Sequence, residues 1–432
     1  MILHKNYDIS KSGHLTIDGL DAVELAKEFG TPSMFISEDS VRGMCRMYKA
    51  AFKEHFGGAS APVYAGKALC FKRLYEIMRE EGMYADCVSS GELSTASKAG
   101  FPMENAFFHG NNKTDADLSY AIDLGVGYIV VDGTDELCAL EAIAEEKNIR
   151  QKILLRITPG IDPHTHKKII TGNVDSKFGS AIATGDADRI VSLALGQSHV
   201  ELCGFHCHVG SQIFDIAPFR DAADIMLRFI SDVRSKYGYA AKILNIGGGF
   251  GVRYTEDDPK IDYEENIRLL GKEIDKTCRE IGLQKPDILM EPGRSIVAAA
   301  GATLYTCGSV KQIEGFRNYV SVDGGMTDNP RYTLYSSQYT VLNASYASDT
   351  ADFECTLAGR CCESGDLLAE NIKVAAPKRG DIIAVLVTGA YNYSMASNYN
   401  RIPRPPVIMI ADGKPYVAVR RETFDDITSL DV

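Results

Sequence analysis

The chain predicts an α/β architecture: a (β/α)8 barrel of the TIM type, with a C-terminal all-β domain that also takes in the N-terminal segment. Three observations carry that expectation. Between Pro62 and Arg294, short β-rich runs alternate with segments of helical periodicity. Eight such runs occur, the number needed to close a barrel. After Arg294 the helical segments stop and only strand-like runs and turns remain. A doubly wound open sheet is the alternative that the same alternation allows.

In chain order, HLTIDG reads as a strand, DAVELAKEFG as a helix and SMFIS as a further strand. The eight runs are PVYAGKA, MYADCVS, NAFFHG, YIVVD, KILLRIT, LCGFHCHVG, KILNIGGG and DILMEPGR, rich in the β-branched and aromatic residues that strands favour. Between them FKRLYEIMREEG, TDADLSYAIDLG, DELCALEAIAEEKN, FRDAADIMLRFISDVRSKYG and YEENIRLLGKEIDKTCREIG place apolar residues three and four apart, as amphipathic helices do. The later strands are ATLYTCGSVKQI, NYVSVDGG, FECTLAG, DIIAVLVTGA, PPVIMIA and PYVAVRRE. The expected division is a barrel over 36–300 and a β-domain made of 1–35 and 301–432.

The 432 residues are 45% hydrophobic and 24% charged, as in ordinary globular proteins. The net charge of −12 gives no basic face for nucleic acid or an anionic membrane, so neither partner is expected. No run has the length of a signal peptide core or a membrane span, which makes the cytoplasm the expected location. The eleven cysteines include no CxxC pair, pointing to reduced thiols.

In such a barrel the working residues sit where strands end and loops begin. Those ends carry Lys67, Asp86, Ser89, Gly91, His109, Arg156, His206, His208 and Ser211, then Gly247, Gly248, Gly249, Glu291, Gly293 and Arg294. NIGGGFG and MEPGR follow the seventh and eighth strands, where barrels of this type bind phosphate. Consecutive glycines let backbone N–H groups close on phosphate oxygens, although tight turns use them too. Lys67 stands within an apolar run, and a buried ammonium is costly unless it has a chemical purpose. A lysine, a phosphate site and an acid converging on one barrel end suggest pyridoxal 5′-phosphate: the amine condenses with its aldehyde, and Glu291 keeps the pyridine nitrogen protonated.

The motifs VYAGKALC, GFHCHVGSQ, NIGGGF, EPGRS, CCESGD and GAYNYSMASNYN resemble the barrel-type, alanine-racemase-like pyridoxal-phosphate decarboxylases, and within them the diaminopimelate-decarboxylase group. The resemblance spans nearly the whole chain. It implies that Lys67 carries the cofactor, His208 stacks on its ring and Glu291 pairs with the ring nitrogen. Ser211, Gly247, Gly248, Gly249, Pro292, Gly293 and Arg294 then surround the phosphate, Tyr391 adds a hydroxyl, and Asp86 and Arg156 shape the ring's surroundings. It further implies a homodimer with shared active sites, in which Cys362, Glu363 and Ser364 enter the neighbouring subunit's site. There Cys362 is the proton donor and Glu363 binds the substrate's amino group. Arg331 and Tyr335, helped by Arg294 and Tyr391, bind a substrate carboxylate. One departure stands out: Tyr332-Thr333 replace the family's Pro-Ala between that arginine and tyrosine.

The implied reaction is decarboxylation of meso-2,6-diaminopimelate to L-lysine. Related decarboxylases of ornithine, arginine or carboxynorspermidine, an amino-acid racemase and a non-catalytic pyridoxal-phosphate carrier are the alternatives. No metal is expected: His206 and His208 share a strand face, but no third ligand is spaced to join them. His164 and His166 read as solvated loop residues, Cys361-Cys362 as too strained for a disulfide, and Asp175–Gly179 as a structured loop.

Overall fold

The computed structural model describes residues 4–161 and 176–432. The chain forms two compact units. One comprises Met44–Gly251 with Lys260–Gly293; the other comprises Met1–Gly43, Val252–Pro259 and Arg294–Val432.

The first unit is a closed parallel barrel. Its strands are Ala61–Ala65, Tyr84–Cys87, Ala106–Phe108, Tyr128–Val131, Gln151–Thr158, Val200–His206, Ile243–Asn245 and Asp287–Met290, each within one of the eight runs read from the sequence or extending it by a residue or two. Each pairs in parallel with its neighbours, and the eighth closes on the first through Leu289↔Ala61. This excludes the open sheet. Helices occupy all five segments with helical periodicity, and three more lie where none was expected: Glu38–His55, Ser90–Lys98 and Asp186–Leu195. SGELSTASK conceals its helix because it buries only Leu93 and Ala96, and its start is fixed by Ser89, whose side chain accepts from the Glu92 N–H. The long helix was legible, since its buried Val41, Cys45, Tyr48 and Phe52 recur at helical spacing.

The barrel interior is layered by the two-residue period of its strands. Val63, Phe107, Val130, Leu154, Cys203 and Leu289 form one apolar layer, with Tyr84, Tyr128 and Ile243 packed against it. Phe107 and Tyr128 stack with ring centroids 4.6 Å apart. Two residues further along six of these strands, the same face carries Asp86, His109, Asp132, Arg156, Asn245 and Glu291. The sixth strand breaks the count with a bulge between Leu202 and Gly204, which brings His206 level with Arg156. Cys203 and His206, three apart, therefore both face inward, while Phe205 packs outward on Phe229, 5.2 Å between centroids.

In the second unit, Ser33–Ser37 is wholly buried between Gly301–Gln312, antiparallel to it, and Val407–Ala411, parallel to it. The sheet continues through Asn318–Val322, Phe353–Ala358 and Leu367–Val374, and Ile382–Leu386 pairs with both Gly301–Gln312 and Val341–Asn343. Tyr7–Ile9, Leu15–Ile17 and Leu20–Asp21 form a small separate sheet. Leu367–Val374 escaped the sequence reading because its alternation is broken by register shifts and by Asn371, whose φ is +55°. The module is also not purely β, since Arg331–Tyr335 and Phe424–Thr428 are short helices.

Candidate active site

The polar layer at the barrel's carboxyl-terminal end converges on Glu291. Asn245 Nδ2 donates to its Oε1 at 2.7 Å, His109 Nε2 lies 3.0 Å from that oxygen and His206 Nε2 3.4 Å. All four side chains are at most 6% exposed. Burial alone would raise the Glu291 carboxyl, but the two imidazoles outweigh it and hold Glu291 well below the usual carboxylate range. Burial pushes Asp86 upward, opposed chiefly by His109, and neither of its carboxylate oxygens has a hydrogen-bond partner among the described residues. Burial pushes the His206 imidazole down to about 4 and His208 well below its ordinary value, so both are neutral at pH 7.

Arg156 is held between Asp132, with Nε 3.8 Å from Oδ1, and the Phe178 ring, 4.3 Å from its guanidinium carbon. The Ser176–Gly179 part of the DSKFG stretch thus supports Arg156; His164, His166 and Asp175 lie outside the described residues.

Glycines shape the turns beside this cluster. A Cβ on Gly247 would meet the Cys207 carbonyl oxygen at 2.6 Å, on Gly248 the Glu291 carbonyl at 2.0 Å, and on Gly249 the Gly210 carbonyl at 2.4 Å. On Gly293 it would meet the Ala65 Cβ at 2.9 Å. Pro292 ties the eighth strand end to the first, its carbonyl accepting from Ala65 N at 3.2 Å. Ser211 lies in the turn after the sixth strand.

Two expectations need correction. Lys67 is exposed: it sits on the 3-10 turn Gly66–Ala68, beyond the end of the first strand, so no burial penalty has to be explained. Its charge still acts on Asp86, Glu92 and His208. His206 also has acidic and imidazole neighbours that strand spacing could not reveal. It is His109 and Glu291, not His208, that join it, with ligand atoms within 4.8 Å of one another.

The second unit holds its own cluster. The Arg294 guanidinium lies 4.7 Å from the Tyr391 ring centroid and donates to the Tyr254 hydroxyl at 2.7 Å. Arg331 lies 5.5 Å from the Tyr391 ring and 5.3 Å from the Tyr335 ring. The Arg331 side chain is buried, and its Nε has no hydrogen-bond partner among the described residues. Cys362, Glu363 and Ser364 form an exposed turn. Buried Asp366 holds one end of it, accepting from Cys361 N at 2.7 Å, and Asn400 accepts from Cys362 N at 2.8 Å.

The pyridoxal binding domain of the pyridoxal-dependent decarboxylases matches residues 39–298. The diaminopimelate decarboxylase of Bacillus subtilis is 44% identical over 433 residues, covering 100% of this chain and 98% of that protein. The chain belongs to the diaminopimelate decarboxylase family. Solved family structures agree. The M. jannaschii enzyme in complex with L-lysine superposes with a TM-score of 0.91 at 31% identity, covering 100% of this chain and 99% of that one. The Helicobacter pylori enzyme, also with L-lysine, gives 0.86 at 30% identity over 94% and 98%.

This family uses pyridoxal phosphate, and the barrel residues fit it. The Asp86 oxygens, which have no hydrogen-bond partner among the described residues, the ionised Glu291 and the side-chain-free turn at 247–249 supply charge for a cationic ring and room for a phosphate. The sequence reading missed Asn245, Asp132, Tyr254 and the pairing of His109 with Glu291. The signal was there for three of these, since Asp132, Asn245 and His109 each follow an inward apolar residue by two.

Proposed function

We propose that this protein decarboxylates meso-2,6-diaminopimelate to L-lysine and carbon dioxide, the last step of lysine formation. What carries the substrate reading is Arg331, a buried guanidinium whose Nε has no partner among the described residues, flanked by Tyr335 and Tyr391. Burying such a group is costly unless an anion joins it, and a second carboxylate is what diaminopimelate has and ornithine lacks.

Bound in the barrel, pyridoxal phosphate would supply an electron-accepting ring for the electron pair that the scissile C–C bond leaves behind. The chain's own groups do the rest. Lys67 provides the amine that carries the cofactor. Gly247, Gly248, Gly249, Ser211, Pro292, Gly293 and Arg294 would hold its phosphate, Tyr391 would add a hydroxyl donor, and His208 would lie against the ring. Glu291 would hold a proton at the ring nitrogen, while Asp86 and Arg156 would set the surrounding charge. Arg331, Tyr335 and Arg294 hold the distal carboxylate, and Glu363 receives the amino group. Cys362 then passes its thiol proton to the carbon that lost carbon dioxide, so one C–C bond breaks and one C–H bond forms.

The exposed Cys362–Ser364 turn supports a homodimer in which each subunit completes its partner's site. Free thiols at all eleven cysteines support a reducing, cytoplasmic setting. Among the described residues, no helix is long and apolar enough to cross a membrane. The test is carbon dioxide release measured in parallel with meso-diaminopimelate, lysine, ornithine and arginine. The diaminopimelate reaction should dominate, and a preference for ornithine or arginine would overturn the substrate assignment.

A further inference from the structure

Glu291 has two carboxylate oxygens, and the barrel treats them differently. Three nitrogens from three separate strands converge on Oε1: Asn245 Nδ2 at 2.7 Å, His109 Nε2 at 3.0 Å and His206 Nε2 at 3.4 Å. Among the described residues nothing bonds Oε2. The two imidazoles pack edge to face, centroids 4.8 Å apart and planes at 71°, so each limits how the other can turn. Among the described residues neither Nε2 forms a hydrogen bond, to Oε1 or elsewhere, although both lie within reach of it; such contacts tighten in many sites only when the ligand arrives.

We propose that His206 and His109 are positioning residues: they fix Oε1 of Glu291, so that Oε2 and the full negative charge are presented to the ring nitrogen of the cofactor. The inference rests on the reading of Glu291 given above. The role asks for an N–H at Nε2, which a neutral imidazole can supply. Burial keeps His206 neutral at physiological pH. The other charged or titratable groups facing Glu291 are Asp86, Arg156, Cys207 and His208. Of these only Arg156 is a permanent cation, and Asp132 engages it from the far side. The bulge in the sixth strand now has a purpose. Paired without the bulge, the same strand would bring Phe205 level with Arg156 in place of His206, and the carboxylate would lose that imidazole.

The test uses holoenzyme loaded with pyridoxal phosphate labelled with 15N in the ring, whose chemical shift reports protonation of that nitrogen. His206→Phe keeps the bulk and removes the donor, whereas His206→Gln keeps a neutral donor. His206→Phe should shift the ring-15N signal toward the unprotonated position at pH 7.5. It should also lower kcat by about tenfold or more with KM little changed. His206→Gln should restore both. His109→Phe and His109→Gln form an independent pair with the same expectation, which keeps the test alive if one Phe variant does not fold. Glu291→Gln separates the two claims: if it leaves the 15N signal unmoved, the Glu291 assignment itself fails. If Glu291→Gln moves the signal while the folded Phe variants do not, the positioning role is overturned and the assignment stands. A stoichiometric metal ion in the wild-type holoenzyme, lost from both Gln variants, would also overturn the proposal by making the imidazoles ligands.

Discussion

At Lys67 the chain places an exposed amine on the turn that follows the first strand, two residues past Ala65. Lys67→Ala is expected to abolish both turnover and the visible absorbance of bound cofactor, and retention of either would remove Lys67 from its role. The cofactor-side residues were legible because each sits in a contiguous motif at a strand end. The convergence on Glu291 was not, because His109, His206 and Asn245 meet only when the barrel closes. In the other unit, burial raises the Asp328 carboxyl to about 7, against the hydrogen bonds it accepts from Tyr305 and Gly325. An acid whose folded pKa lies above its unfolded value binds more protons in the native state, so it erodes stability as pH rises from about 4 to 7 and no further above that. Asp328→Asn should flatten this decline. A thermal-melt series from pH 4.5 to 8 checks it, and an unchanged slope would refute it.

Among the elements, the barrel strands were the most legible, because burial on both faces forces β-branched and aromatic runs with little room for polar interruption. The short helix after Ser89 and the strand Leu367–Val374 were obscured by polar side chains and a left-handed Asn371. The sixth strand shows what sequence periodicity alone conceals. Its bulge leaves no compositional mark except Gly204, where a Cβ would lie 1.9 Å from the Ile243 carbonyl oxygen. Gly204→Ala must therefore push the sixth and seventh strands apart, and with them His206 and Asn245. The expected result is a fall in melting temperature of several degrees, from a cost of at least ~1–3 kcal/mol, together with a larger loss of kcat. A variant with unaltered melting and kcat would show that the bulge does not position the site. Truncating the stacked Phe107 to Ala should cost ~3–5 kcal/mol in denaturant unfolding, as removal of a fully buried ring does.

For the whole molecule, the proposed sharing of sites between subunits has a quantitative signature. Lys67→Ala and Cys362→Ala homodimers should each be nearly inactive. Dissociated and reassembled together in equal amounts, they should form mixed dimers for about half of the population, each with one intact site of two. Activity should then return to about a quarter of wild type. No recovery, with mixed dimers demonstrated, would confine Cys362 to its own subunit's chemistry. The arrangement of the chain also bears on how the protein is made. Ser33–Ser37 is translated early, but its antiparallel partner begins at Gly301 and its parallel one at Val407. At ~5–20 residues per second, a ribosome takes on the order of ten to fifty seconds to emit the first of those partners. For all that time Met34, Phe35 and Ile36, which end with no more than 2% exposure, have no sheet to enter. The nascent chain therefore carries an apolar segment that can be buried only after the whole barrel has been synthesised.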